Sequence, residues 1–388
     1  MDFFTLMICS LGYYSFPLVL GFIAIPGVVE GMIIDDYIYL VFSFVYAVSI
    51  FFMLYSDALG SRVKITVVAR GTKELQFLFF VTLASYLVGV FDTGPSDFFF
   101  GTKKNGNALS PFIPVSLWCS LFLFSVAYAD PVKDKGSLLL SVFVILSVLF
   151  YGSRAVTVIL FLMFSLLYIG FVRLRLFSKV HYFLIGGMFV IAFILFKVVY
   201  WMLKVDGLMQ SANKISGLGL DRGYDLFLAD PMAVIYNFNL VVIDQMSLPL
   251  TYLVHRALAF IPFANTIFSE VLGFEFLKFS QILQDEYHGL SWGLASSFMA
   301  EIFSIVGGFF VFFFLFFWVF LIYKFNFRYK SMDGFLIRIL FPVFVYSTFY
   351  IHRVDLTYAI SGFKMAIFVF LSAKIYASLF NNFKIKVW

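Results

Sequence analysis

Six cations stand out in a chain made mostly of long apolar runs: Arg154, Arg222, Arg256 and Arg353, with Lys197 and Lys364. The arginines fall in or beside loops on the side that is otherwise poor in Lys and Arg, and the two lysines fall in the outer halves of apolar runs. A basic side chain in hydrocarbon costs at least about 2.5 kcal/mol, so each of these positions asks for a polar interior or an anion. Arginine forks match phosphate oxygens two at a time, and lysines add point charges for the same anion. As a set, the six predict an anion site of phosphate type. Taken singly, each can instead snorkel to headgroups or pair with an acid such as Asp221, Asp225 or Glu270.

Residues 288 to 308, HGLSWGLASSFMAEIFSIVGG, hold the second group. Ser297, Glu301, Ser304 and Gly308 recur there at helical spacing and make one small polar stripe, which must face protein or water. Glu301 is expected about one turn inside the outer boundary, where an acid is expensive unless it pairs with a cation or works as a general base. Both roles are open on the sequence: catalytic base, or a salt bridge to an arginine. His288 is the other catalytic candidate, as a proton carrier or as an ordinary loop histidine. No GxxxxGK[ST] loop, HExxH, paired CxxC or DxD motif is present, so no metal or cofactor is expected and a nucleotide-sugar enzyme with a metal site is disfavoured. Asp35 with Asp36, and Asp130 with Asp134, read as loop ends. The middles of the apolar runs carry no Asp or Glu, which argues against an ion-coupled transporter.

The elements that must position these residues follow from composition. Of 388 residues, 62% are hydrophobic, 22% aromatic and 13% charged, with a mean hydropathy of +0.99; a soluble domain is about half apolar and a quarter charged. A soluble enzyme, a secreted disulfide scaffold and a disordered tail are excluded, and Cys9 and Cys119 both lie within apolar runs. Runs at about 5–28, 37–56, 75–92, 112–128, 138–151, 155–172, 182–203, 298–323, 335–350 and 358–379 are long enough to cross roughly 30 Å of hydrocarbon as helix, or nearly so. The expected fold is an all-α, polytopic transmembrane bundle of about 10–12 spans. Arg62, Lys64, Arg70, Lys73, Lys133, Lys135, Arg173, Arg175, Lys179, Lys324, Arg328 and Lys330 fall in alternate loops, which places those loops and both termini in the cytoplasm. The formal charge of +5 is therefore an orientation signal and not a nucleic-acid one.

Three regions result: N-terminal spans in 1–204, a large outside loop in 205–297, and C-terminal spans in 298–388. Met1 and Asp2 lead into the first run with no basic segment, which predicts a retained span and no signal peptide. Within the loop, Asp230-Pro231 reads as the N-cap and first residue of a helix, and the run from Thr251 to Phe260 as an interfacial or re-entrant helix.

Two blocks carry a family resemblance. SSFMAEIFSIVGG resembles the Ser-x-x-x-Glu span of bacterial O-antigen and capsular repeat-unit polymerases, the Wzy family. YGSRAVTVILFLMFSLLY resembles their Gly-Ser-Arg turn, here Gly152, Ser153 and Arg154, and the pairs His255-Arg256 and His352-Arg353 fit the family's arginines on the periplasmic face. The chain departs from the paired Arg-x10-Gly pattern of some members, since Arg175 to Gly186 falls on the cytoplasmic side, and Ser304, Ile305 and Val306 replace the aromatic and Asn residues often found there. The resemblance implies a GT-C-like membrane glycosyltransferase of the bacterial inner membrane with one large periplasmic loop. It would join undecaprenyl-diphosphate-linked oligosaccharide repeat units, with a chain-length regulator and a flippase as pathway partners and no nucleic acid. An O-antigen ligase and a glycolipid flippase are the alternatives.

Overall fold

The computed structural model describes residues 3–25, 29–59, 72–100, 110–128, 132–151, 154–171, 220–258, 261, 279–287, 297–329, 334–350, 352–353 and 356–382. In chain order the elements are α1 (Phe3–Tyr14), α2 (Phe16–Leu20), β1 (Phe22–Ile25), β2 (Val29–Ile33), α3 (Asp36–Leu59), α4 (Thr72–Thr93), α5 (Pro95–Phe100) and α6 (Phe112–Ala127). There follow α7 (Lys135–Tyr151), α8 (Arg154–Phe171), α9 (Leu220–Ile243), α10 (Leu250–Leu258) and α11 (Phe279–Glu286). The chain closes with α12 (Phe298–Val306), α13 (Gly308–Tyr329), α14 (Phe335–Tyr350) and α15 (Leu356–Asn382). Among the described residues, four helical stretches are long and apolar enough to cross a membrane: Asp36–Tyr55, Thr72–Thr93, Gly308–Asn326 and Ile360–Phe380. Their outward faces are apolar, with Leu40, Phe51, Leu54, Phe309, Phe313 and Leu371 each more than half exposed. Water would penalise such faces and lipid tails do not. Among the described residues the chain is helical apart from one small hairpin, and its fold is that of an all-α membrane protein.

Two compact units divide it, residues 1–78 with 229–388, and residues 79–228. In the first unit α1 is the central helix. Phe3 meets Phe325, Phe341 and Phe344 edge to face, Phe4 stacks on Phe52, and Ser10 Oγ donates to the Phe349 carbonyl at 2.5 Å. These contacts set α1 antiparallel to α3 and parallel to α14. The helices α3 and α13 run side by side in the same direction. Tyr37 donates to the Gly308 carbonyl at 2.6 Å, Phe44 meets Phe312 at 5.1 Å, and Tyr55 meets Tyr323 at 5.9 Å. Antiparallel to α14, α15 returns through Phe344 with Phe363 and Phe335 with Phe370. One end of the unit thus gathers Tyr14, Tyr37, Gly308 and the turn after α14; the other gathers Glu74, Tyr323, Phe335 and Lys374.

In the second unit Tyr86 of α4 meets Phe98 at 6.2 Å and Phe143 at 5.9 Å. Gly89 lets α6 approach closely, because a Cβ there would fall 2.6 Å from Ile113 Cδ1. Ser116, Ser120, Ser141 and Ser147 return their hydroxyls to carbonyls of their own helices, so these four positions of α6 and α7 need no partner elsewhere.

Three sequence expectations change. The run at 5–28 is not one span: α1 stops at Tyr14, Gly21 at φ 77° caps α2, and an antiparallel hairpin pairs Phe22 with Ile33 and Ile23 with Met32. The run at 298–323 is two helices, because Gly307 takes φ 78° and ψ 166°, a conformation that L side chains avoid. Glu301 therefore lies on a separate short helix ahead of the long one. Pro231 does not open a helix but sits inside α9; helices packed in apolar surroundings tolerate this where neighbours satisfy the freed backbone groups. The run from Thr251 to Phe260 holds a short helix, α10, at Leu250–Leu258. The expected span at 182–203 lies outside the described residues.

Candidate functional site

Glu301 stands in the first turn of α12, whose N-cap is Ser297. Two residues of α10 four apart, Tyr252 and Arg256, share a face and reach it together. Arg256 Nε lies 2.9 Å from Glu301 Oε1, and the Tyr252 hydroxyl donates to the same oxygen at 2.6 Å. Arg256 also donates to the Tyr252 hydroxyl, and its guanidinium carbon lies 4.4 Å from the centre of the Tyr252 ring. Glu301 Oε2 accepts from the Leu356 backbone N–H at 2.5 Å, which caps the first residue of α15. The carboxylate is fully buried and the arginine side chain is 4% exposed. One acid thus ties α10, α12 and α15. Burial first, and the neighbouring carboxylate second, push the Tyr252 phenol well above its ordinary range, so it stays a neutral donor.

The second ion pair joins Arg353, in the turn after α14, to Asp230 of α9, at 3.0 Å between Nη1 and Oδ2. Here the side chains are 37% and 22% exposed. Burial works against the Arg353 charge and Asp230 overrides it, so the guanidinium stays protonated. Its neighbour His352 is 1% exposed, its ring centre is 6.0 Å from that of Tyr14, and neither ring nitrogen has a hydrogen-bond partner among the described residues. Burial pushes this imidazole well below the usual histidine range and keeps it neutral. The short turn between α14 and α15 links both pairs, since Arg353 reaches Asp230 and Leu356 reaches Glu301.

Helix α9 lies across this end of the unit. Val234 packs on Tyr14, Phe238 meets Tyr37 and Phe303, and Asn239 clamps the hairpin exit by donating to the Ile33 carbonyl and accepting from Asp35 N–H. The next segment is stitched to α12 by Leu248 N–H donating to the Ser304 carbonyl at 2.7 Å. At the opposite end the cations are held differently. Lys374 pairs with Glu74 at 2.9 Å, and Lys73 and Lys324 lie over the rings of Phe380 and Phe320.

Of the residues singled out in the sequence, Glu301, Arg256 and Arg353 come together at one end of the first unit. The polar stripe closes as expected at Ser297, Glu301 and Ser304, all buried, while Gly308 falls beyond the break. Lys364 is half-buried on α15, about two turns beyond Leu356. Arg154 is the first residue of α8 and Arg222 lies near the start of α9, both in the second unit. Lys197 and His288 lie outside the described residues. Sequence reasoning missed Tyr252, whose four-residue spacing from Arg256 was the available signal, and assigned Asp230 to a cap. Only a distant turn reveals its partner.

The fold and the site define an all-α membrane protein with two ion pairs, among the described residues, gathered at one end of its first unit. Comparison with protein-family models, with curated proteins and with solved structures finds no match for this chain.

Proposed function

We propose that this protein is an integral membrane glycosyltransferase of the repeat-unit polymerase kind, acting on lipid-diphosphate-linked oligosaccharides at the outer face of the bacterial inner membrane. The observation that carries the reading is the gathering of Arg256, Arg353, Glu301 and Asp230 at one end of the first unit, opposite the end that holds Lys73, Lys324 and Lys374. Lysine-rich ends face the cytoplasm, so the Glu301 end is outside. The parallel course of α3 and α13 supports the count of spans: if both cross, an odd number of crossings separates them. The apolar helices α4, α6, α7 and α8 would account for four, and the span expected at 182–203 lies outside the described residues.

In this reaction an acceptor hydroxyl attacks the anomeric carbon, the bond to the diphosphate breaks, and fixed cations stabilise the charge on the leaving group without a metal. Glu301 already accepts three hydrogen bonds, two of them from a buried arginine and a phenol, which favours its ionised form and makes it a holder of Arg256 and the α15 start. The hydroxyl proton then passes to the departing diphosphate or to His288. With Arg256 and Arg353 each paired to an acid, the diphosphate falls to other cations, of which Lys364 stands on α15 of the first unit. Disruption of the gene with profiling of lipopolysaccharide or capsule tests the reading. Chains capped at one repeat support a polymerase; loss of all attached repeats indicates a ligase, cytoplasmic trapping a flippase, and an unchanged profile rejects the proposal.

A further inference from the structure

Around the Arg353–Asp230 pair the geometry points to a subsite for a neutral sugar ring, not for a phosphate. The identity of its ligand rests on the glycosyl-transfer reading above. With Asp230 Oδ2 3.0 Å from Arg353 Nη1, the pair is neutral as a unit, and its carboxylate repels an arriving dianion. Arg256, the other arginine of this end, is taken up by Glu301. A sugar hydroxyl both donates and accepts, and a partly exposed guanidinium beside a partly exposed carboxylate offers it both kinds of partner.

Three further observations point the same way. His352, adjacent to Arg353, is buried with both ring nitrogens unpartnered among the described residues. Buried polar groups are nearly always satisfied, so such an orphan marks a place where a bound group or water completes the set. A neutral imidazole supplies one donor and one acceptor, which suits a hydroxyl, and adds no positive charge for a phosphate. Against it packs the ring of Tyr14, with centres 6.0 Å apart, and Tyr13 meets Tyr14 at 5.0 Å. Tyr13, Tyr14 and Tyr350 all lie within electrostatic reach of Arg353. Tyr13 is half-buried, and a tyrosine ring offers a flat apolar face with a polar tip, the surface against which the C–H side of a sugar ring packs. Donors, acceptors and an aromatic wall with no net charge are the chemistry of a polyhydroxylated ring.

Saturation-transfer NMR on the full chain in detergent tests this, with glucose, galactose, rhamnose and N-acetylglucosamine as saccharide probes and inorganic pyrophosphate as the anion probe. At least one saccharide should bind, and Asp230→Asn and His352→Phe should each weaken it roughly tenfold or more, the scale of losing a hydrogen bond at a buried or charged partner. Lys374→Gln, at the opposite end, should leave it unchanged, and pyrophosphate should not displace it. If either variant loses its helical circular dichroism, Tyr13→Leu at the rim replaces it with the same expected weakening. The subsite is overturned if no saccharide binds, if binding survives these substitutions, or if pyrophosphate binds there and tightens in Asp230→Asn. Failure of the two readings is distinguishable. Sugar binding with an unchanged glycan profile after gene disruption keeps the subsite and rejects the transferase, whereas no sugar binding with chains capped at one repeat does the reverse.

Discussion

The two ion pairs at the Glu301 end have the same chemistry and opposite surroundings. Arg256 with Glu301 is closed off from solvent and shares its carboxylate with Tyr252 and the Leu356 N–H; Arg353 with Asp230 is partly open. A buried pair is poor evidence of net stabilisation, but removing one partner leaves an uncompensated charge and is strongly destabilising. A partly exposed pair contributes less to the fold than a buried one, and its open edge can meet a ligand. The difference therefore separates a residue set that holds the site from one that can meet a substrate.

The largest expected effect comes from breaking the closed pair. Glu301→Ala should cost about 3–5 kcal/mol, read as a collapse of expression or of the thermal inactivation half-life in detergent. Glu301→Gln should behave similarly, because it keeps the shape and loses the charge that Arg256 needs. A Gln variant as stable as the parent but unable to make polymer would return Glu301 to the role of base and dissolve the contrast.

Next is the break that presents Glu301. Gly307→Ala forces a side chain into φ 78°, ψ 166°, and strain of this kind costs on the order of 1–3 kcal/mol. The inactivation half-life should shorten accordingly, and an Ala variant indistinguishable from the parent would show that α12 and α13 can join without cost.

The open pair should respond mainly in function. Arg353→Ala and Asp230→Ala should each cost less stability than Glu301→Ala, while, on the proposed transferase reading, polymer length falls. A loss of stability equal to that of Glu301→Ala would make the two pairs equivalent and remove the distinction.

A smaller effect is a pH slope. The unfolded chain holds the His352 imidazole near its ordinary value of about 6.5, and burial lowers it in the folded protein. The unfolded state therefore takes up the proton first, so this contribution to stability is complete above about pH 6.5 and drains away as pH falls. Inactivation rates measured from pH 7.5 to 5 should rise toward acid in the parent, and His352→Phe should flatten that part of the slope. An unchanged slope would assign the acid sensitivity to other groups.

The sequence alone determined the apolar stretches of α3, α4, α13 and α15, because a run of apolar side chains long enough to cross hydrocarbon has few other stable fates. It also determined that Glu301 must find a partner, since an acid among Phe298, Met299, Ile302 and Phe303 cannot stand alone. It did not reveal the hairpin at Phe22–Ile33, because β-branched residues beside a glycine read equally well as the end of a helix. Tertiary structure decided which arginine Glu301 meets and which acid Arg353 meets. Those pairings close contacts of 45 and 123 residues in sequence separation, and no local spacing rule reaches that far. Only the packing of α9 and α10 over the ends of α12, α14 and α15 turned a set of like cations into one buried tie and one open pair.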